Sequence, residues 1–141
     1  MSRNIKCDHS QVVIVSGSLQ SLYLITSVLI DKNDDVILEN PTFPNVHSIF
    51  KSAQANIVTV AADNEGIAIK KIKENSDLNP KLVHVTPSNH YPLGVKMTLN
   101  RRKELIKWAS NNKALIIEND YENEVANHLN NTPSILSLIH I

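Results

Sequence analysis

Three short polar segments hold most of the groups in this sequence that could do chemistry. The first is Ser16-Gly17-Ser18, which follows the β-branched run at 11–15 (QVVIV) and precedes helical periodicity. A strand entering a helix through a glycine makes an anion cradle, because the first helical N–H groups and the helix dipole both face the ligand. An ordinary helix cap explains the same residues. Neither a Gly-Lys-Ser/Thr nucleotide loop nor a GxGxxG loop is present. The second segment is Thr86-Pro87-Ser88-Asn89-His90-Tyr91-Pro92-Leu93-Gly94. Two prolines and a glycine impose an irregular loop, and that loop presents Ser, Asn, His and Tyr together. A polar surface loop is the competing reading, with His90 an ordinary surface histidine. The third is Glu118-Asn119-Asp120-Tyr121-Glu122-Asn123-Glu124. Its carboxylates could hold a metal, but it lacks a histidine or cysteine at ligand spacing and the glycine of a calcium loop. A solvated acidic turn is the usual explanation. The six histidines, at 9, 47, 84, 90, 128 and 140, form no pair at metal spacing, so no metal site is assigned. Ser16 and Ser18 lack a nucleophile-elbow pattern, which argues against hydrolase chemistry.

The elements that must position these segments alternate between strand and helix. Short apolar runs predict strands at 11–15, 36–38, 56–60, 81–85 and 114–117. Leu22, Ile25, Val28 and Leu29 predict one apolar face on a helix after Ser18. The two prolines of 40–44 (NPTFP) exclude regular helix there, and Val46, Ile49, Phe50 and Ala53 predict the next helix. A weaker helix is expected over 67–75. Thr98 can cap another through about Asn111, with Leu105, Trp108 and Ala109 facing inward. Residues 127–141 show no clear period and read as a cut end. This alternation predicts an α/β fold, a mainly parallel doubly wound sheet with flanking helices. Ligands of such sheets bind at the carboxyl ends of the strands, where all three polar segments fall.

Composition bounds the partners. The chain has 141 residues, 42% apolar and 20% charged, enough for one domain with a core. Fourteen basic residues balance fourteen acidic ones, so there is no electrostatic footprint of a DNA-binding module. No apolar run reaches membrane-spanning length and no signal-peptide core opens the chain. A single cysteine, Cys7, forms no internal disulfide framework. A cytoplasmic protein is the default expectation.

The order and spacing of the segments resemble the cofactor-binding part of fold-type-I aminotransferases, which use pyridoxal 5′-phosphate (PLP). The pattern is most similar to the aminotransferase-like domain of MocR-type regulators in the GntR family. Gly17-Ser18-Leu19-Gln20 resembles that family's Gly-Ser-Gln-Gln, and Asp31-Lys32-Asn33-Asp34 its Asp-Pro-Gly-Asp. Glu39-Asn40-Pro41-Thr42-Phe43-Pro44 is similar to Glu-Asp-Pro-Gly-Tyr-Pro, and Asp63-Asn64-Glu65-Gly66-Ile67 to Asp-Glu-x-Gly-Ile/Leu. The loop 86–94 resembles Thr-Pro-Ser-His-Gln-Tyr-Pro-Thr-Gly. Arg101-Arg102 with Leu105 matches Arg-Arg-x-x-Leu, and Glu118-Asn119-Asp120-Tyr121 looks like Glu-Asp-Asp-Tyr. The resemblance covers nearly the whole chain, and the proline loop and the acidic segment are its specific parts.

The resemblance implies roles. Gly17, Ser18 and Leu19 would bind the PLP phosphate, mostly through backbone N–H. Phe43 would stack on the pyridine ring. Tyr91, with His90 near it, would approach the phenolic side, and Tyr121 would hydrogen-bond the phenolic oxygen. Residue 119 would face the ring nitrogen, and there the chain departs from the family, with Asn119 in place of aspartate. A carboxylate keeps that nitrogen protonated and makes PLP an electron sink; a neutral amide does not. The Schiff-base lysine would lie beyond Ile141, so no catalytic residue is assigned and the chain alone is expected to be inactive, with weak or no PLP binding. A winged-helix DNA-binding module would precede Met1. The expectation is thus a single partial domain over 1–141, the first half of a PLP-binding large domain, whose parent is a homodimeric regulator sensing PLP and an amino compound. The alternatives are a piece of a class I/II aminotransferase, or a non-functional truncated remnant.

Overall fold

Strand β1 (Asp35–Asn40) forms the centre of the sheet, and Val36, Ile37, Leu38 and Glu39 are all buried. It pairs in parallel with β2 (Asn56–Asp63) on one side and with β4 (Pro80–Val85) on the other. Outside β4 lies β5 (Leu115–Glu118), again parallel. The two-residue β3 (Gly66–Ile67) pairs antiparallel with the end of β2, giving the order β3-β2-β1-β4-β5. The computed structural model describes residues 5–74, 77–120 and 133–139.

Strand alternation sends successive side chains to opposite faces. Ile37, Val83 and Val85 pack under α3 (Ile69–Lys73) and α4 (Leu99–Asn112), in a core that includes Leu105, Trp108 and Ala109. Val36, Leu38 and Leu82 pack under α1 (Ser18–Leu29) and α2 (Pro44–Ser52), against Leu22, Val46 and Phe50. Helices on both faces of a mostly parallel sheet are the architecture that the alternation of runs predicts. Thr98 caps α4 as expected, its side chain accepting from the Arg101 N–H. No helix among the described residues is long and apolar enough to cross a membrane.

The structure corrects three expectations. Residues 11–15 do not form a strand. A 3-10 turn (His9–Gln11) leads into an extended segment in which Val13 is 77% and Ile14 94% exposed. A strand needs a neighbour's N–H and C=O groups, and the described sheet ends in β3 and β5, neither of which pairs with this segment. The inner face of α1 is Leu22 and Thr26, whereas Val28 is 80% exposed. Nothing among the described residues covers that flank, so period alone misassigns it. Finally, the aperiodic tail contains a short helix, α5 (Ile135–Ile139). It starts on the Glu118 carboxylate, which accepts from the N–H groups of Ile135 (2.9 Å) and Leu136 (3.2 Å). Ser134 adds a local cap, its Oγ accepting from the Ser137 N–H (3.0 Å), but the carboxylate that binds the helix start lies 17 residues back in the chain.

Candidate functional site

The start of α1 is an open ring of donors. Gly17 is its N-cap in extended geometry, and the first helical bond runs from the Ser21 N–H to the Gly17 carbonyl (3.1 Å). The amides of Ser18, Leu19 and Gln20 therefore precede the hydrogen-bond ladder and point out of the helix end. Gln20 fixes the entry, its Oε1 accepting from the Ser16 N–H (2.7 Å) and the Ser16 hydroxyl (2.9 Å). Preorganised amides at the positive end of a dipole favour a phosphate or carboxylate.

The loop after β4 is built around buried polar atoms. The Pro87 carbonyl accepts from the Met97 N–H (2.9 Å), and His90 and Val95 close the loop through the His90 N–H (2.8 Å). Gly94 takes a left-handed φ of +66° while donating to the His90 carbonyl at 2.7 Å. His90 itself turns inward: it is 1% exposed, and its Nε2 lies 3.6 Å from Glu39 Oε2. That separation is not a charged pair. Burial pushes Glu39 up to about 7, against two hydrogen bonds from Thr86, and burial lowers His90. Both groups are driven toward their neutral forms. In the same loop region the rings of Phe43, the N-cap of α2, and Tyr91 stack at 4.0 Å.

Asn119 follows β5 directly, its N–H bonded to the Val85 carbonyl (2.9 Å). Ser18, Ser21, His84 and Asn119 line one cavity of about 120 Å³. The phosphate-cradle and ring-nitrogen candidates thus share a wall, while Phe43 and Tyr91 form a second pair. Tyr121 lies outside the described residues.

Sequence reasoning assigned no role to the two arginines that tie these loops together. Arg101 reaches the carboxylates of Asp63 (3.0 Å) and Glu65 (3.2 Å) and the carbonyl of Ile67, clamping the turn before α3. Arg102 is fully buried and donates to the carbonyls of Pro87 (2.8 Å), Met97 (3.2 Å) and Pro133 (3.2 Å), and to Glu118 (3.3 Å). One guanidinium fork therefore fixes the proline loop relative to the end of β5. An arginine pair on a helix that also carries Leu105 and Trp108 inward was the available signal. His84 was missed as well: it is buried, burial pushes it down to about 4, and neither ring nitrogen has a hydrogen-bond partner among the described residues.

Comparison with known proteins agrees with this geometry. Residues 1–130 match the model of the family described as aminotransferase class I and II. The chain is 42% identical over 123 residues to the HTH-type transcriptional regulator YdeL of Bacillus subtilis, covering 87% of this chain and 26% of that protein. It is 29% identical over 123 residues to the probable rhizopine catabolism regulatory protein MocR of Rhizobium meliloti, covering 87% and 24% respectively. It thus spans about a quarter of the length of these curated relatives. Among solved structures, kynurenine aminotransferase of Pyrococcus horikoshii superposes with a TM-score of 0.77 at 27% identity, over 88% of this chain and 32% of that one. The α-aminoadipate aminotransferase LysN of Thermus thermophilus, solved with N-(5′-phosphopyridoxyl)-L-leucine, gives 0.69 at 28% identity over 74% and 27%. PLP-type cofactors are bound in these solved neighbours, and the open amides at the α1 start are donors of the kind a phosphate takes. The chain belongs to the aminotransferase class I and II family.

Proposed function

We propose that this chain is the PLP-contacting part of an effector-sensing domain in a MocR-type regulator. The observation that carries the reading is the cavity shared by Ser18 at the α1 start and Asn119 at the end of β5. It sets an anion cradle beside a neutral amide. PLP, when bound, supplies an aldehyde that takes up amino groups and a ring that draws electrons from them. The chain's own residues do the rest. The amides of Gly17, Ser18 and Leu19 hold the phosphate. Phe43 backs the ring. Tyr91, with His90 near it, and Tyr121 approach its phenolic side, and the Asn119 carboxamide meets the ring nitrogen. An amide there holds the ring without fixing a proton on it, which suits recognition of the cofactor better than turnover. In the parent protein, an amino compound, a second subunit and a winged-helix module reading DNA complete the regulator.

A piece of an aminotransferase enzyme is the second reading, favoured by the enzymes among the solved neighbours. A winged-helix sequence upstream in the same gene separates the two.

The test is a calorimetric titration of the chain with pyridoxine 5′-phosphate and with pyridoxine. Neither has the aldehyde, so surface lysines are not labelled. Absolute affinities for this chain alone should be weak, but the phosphorylated form should bind at least about tenfold more tightly, as one charge-assisted anion contact requires. Equal affinity for the two would overturn the assignment of the α1 start as the phosphate cradle.

A further inference from the structure

One carboxyl group meets both of the loops that carry the aromatic wall. Glu39, four residues before Phe43, is 1% exposed. Its Oε2 accepts from the Thr86 N–H (2.9 Å) and hydroxyl (2.7 Å) and lies 3.6 Å from His90 Nε2. His90 immediately precedes Tyr91, the ring stacked on Phe43. Glu39 Oε1 and both ring nitrogens of His90 are buried with no hydrogen-bond partner among the described residues. Burial of this kind disfavours a charge on either group.

The loop around His90 has a fixed neck and a separate head. The Met97 N–H bonds the Pro87 carbonyl, and Arg102 donates to the carbonyls of both residues. Residues 88–96 between them form the head, closed on itself by His90 and Val95. Tyr91 and Leu93 are exposed, whereas His90 is turned in against Glu39. The head can lift on this neck while β4 and α4 stay in place, and lifting it uncovers His90 and opens Glu39 to water.

The surrounding charges are committed elsewhere. Strand alternation sets Glu39 on the Ile37 face, toward α3 and α4, with His84, α1 and α2 on the other. Lys70, Lys71 and Lys73 of α3 and Lys103 and Lys107 of α4 are exposed. Arg101 is tied to Asp63 of β2 and to Glu65, Arg102 to Glu118, and Glu104 to Lys73. Lys81 of β4 holds Asp34. The other ionisable groups of the head are Tyr91 and Lys96. Among the described residues, His90 is the ionisable group that comes to ion-pair distance of Glu39. Burial accordingly raises Glu39 to about 7 and lowers His90.

We propose that Glu39 and His90 are positioning residues that act as a neutral-pair latch: protonated Glu39 and unprotonated His90 let the loop head close and hold Tyr91 against Phe43, and a charge on either releases it. The use of this wall by a pyridine ring rests on the cofactor-binding reading; the latch itself does not. The Glu39 contribution to closure is complete below about 4.5 and lost as pH rises through about 7. The His90 contribution is complete above its ordinary value of about 6.5 and lost as pH falls. The head is held best between these limits.

Two measurements on the ligand-free chain test this. At about pH 6, NMR of the Glu39 ¹³Cδ and the His90 ring nitrogens should find the carboxyl protonated and the ring neutral, the reverse of their order in water. Diethyl pyrocarbonate reacts with neutral imidazole, so His90 is labelled only when the head lifts. His90 is neutral when closed and reacts only when neutral, so its own ionisation cancels from the rate. From about pH 5 to 7 that rate should rise about tenfold per pH unit, one proton leaving Glu39 on opening, and level off above. Glu39→Gln, an amide that stays neutral, should keep the rate at its low-pH level throughout. Thr86→Val removes a hydrogen bond that favours the carboxylate and should move the levelling point to higher pH; it decides the matter should Glu39→Gln not fold. An ionised Glu39 beside a protonated His90 at about pH 6, a wild-type rate that does not change with pH, or a rise that persists in Glu39→Gln or is unmoved by Thr86→Val would overturn the proposal. Any of these leaves the phosphate cradle standing, and a failed cofactor titration leaves the latch standing.

Discussion

The ring of Phe43 lies against that of Tyr91 with centroids 4.0 Å apart and planes 9° from parallel. This contact joins the N-cap of α2 to the loop after β4, and it offers a flat aromatic wall at the strand ends. Phe43→Leu removes the stack, a loss of about 0.5–1.5 kcal/mol in stability. It also removes the surface assigned to the pyridine ring. Thermal melts should show the first effect, and a titration with pyridoxine 5′-phosphate should show weaker binding. Tyr91→Phe keeps both rings and should leave the melting temperature nearly unchanged.

Arg102 is the fork on which the site's two loops hang. Arg102→Met fits the space but removes the guanidinium donors from Glu118 and three carbonyls. Breaking a buried pair in this way costs about 3–5 kcal/mol. Urea unfolding should register a loss of that order, and Arg102→Lys should recover only part of it because one ammonium cannot span the fork. A loss under about 1 kcal/mol would contradict the role.

Buried titratable groups set opposite pH limits on stability. Burial raises Glu39 from 4.5 to about 7, so the folded state holds its proton more tightly than the unfolded chain. That contribution is complete below about 4.5 and lost as pH rises through about 7, amounting to about 3 kcal/mol in all. His84 moves the other way, from 6.5 to about 4, and His90 is lowered too. Their contribution is complete above about 6.5 and lost as pH falls. The two trends oppose each other between 4.5 and 6.5, and above that window Glu39 acts alone. Urea titrations at successive pH values should therefore find the wild type weakening from about pH 6.5 to 8 and Glu39→Gln holding level. Parallel curves for the two proteins would contradict the assignment.

Helix α4 ends on Lys113 in the left-handed region, at φ 55° and ψ 27°. A side chain there is strained where glycine is not. Lys113→Gly should raise stability by up to about 1 kcal/mol. Gly66 is the opposite case. Its φ is +97°, and an added Cβ would meet the Met97 Cε at 3.1 Å. Gly66→Ala should therefore destabilise, and paired melting curves check both signs.

Much of this was legible in the residues. The four parallel strands, the α2 and α4 faces and the Thr98 cap follow from local period and cap chemistry, because those signals are carried by adjacent residues. Long-range relationships were not legible. Glu39, Thr86 and His90 are joined across the sheet, and Arg102 gathers carbonyls that lie as far away in sequence as Pro133. The segment 11–15 has the composition of a strand, but pairing is decided by an available edge rather than by β-branched content. His84 read as one scattered histidine because burial, not its neighbours in sequence, makes it notable.

In the proposed reading, the α1 start and Asn119 together receive a phosphorylated pyridine ring. The most direct measurement is an amide chemical-shift map of the chain during titration with pyridoxine 5′-phosphate. Saturable shifts are expected at Gly17, Ser18, Leu19, Phe43 and Asn119, with little change in the groove beside Trp108 and Lys73. Shifts confined to that groove, or none that saturate, would contradict it.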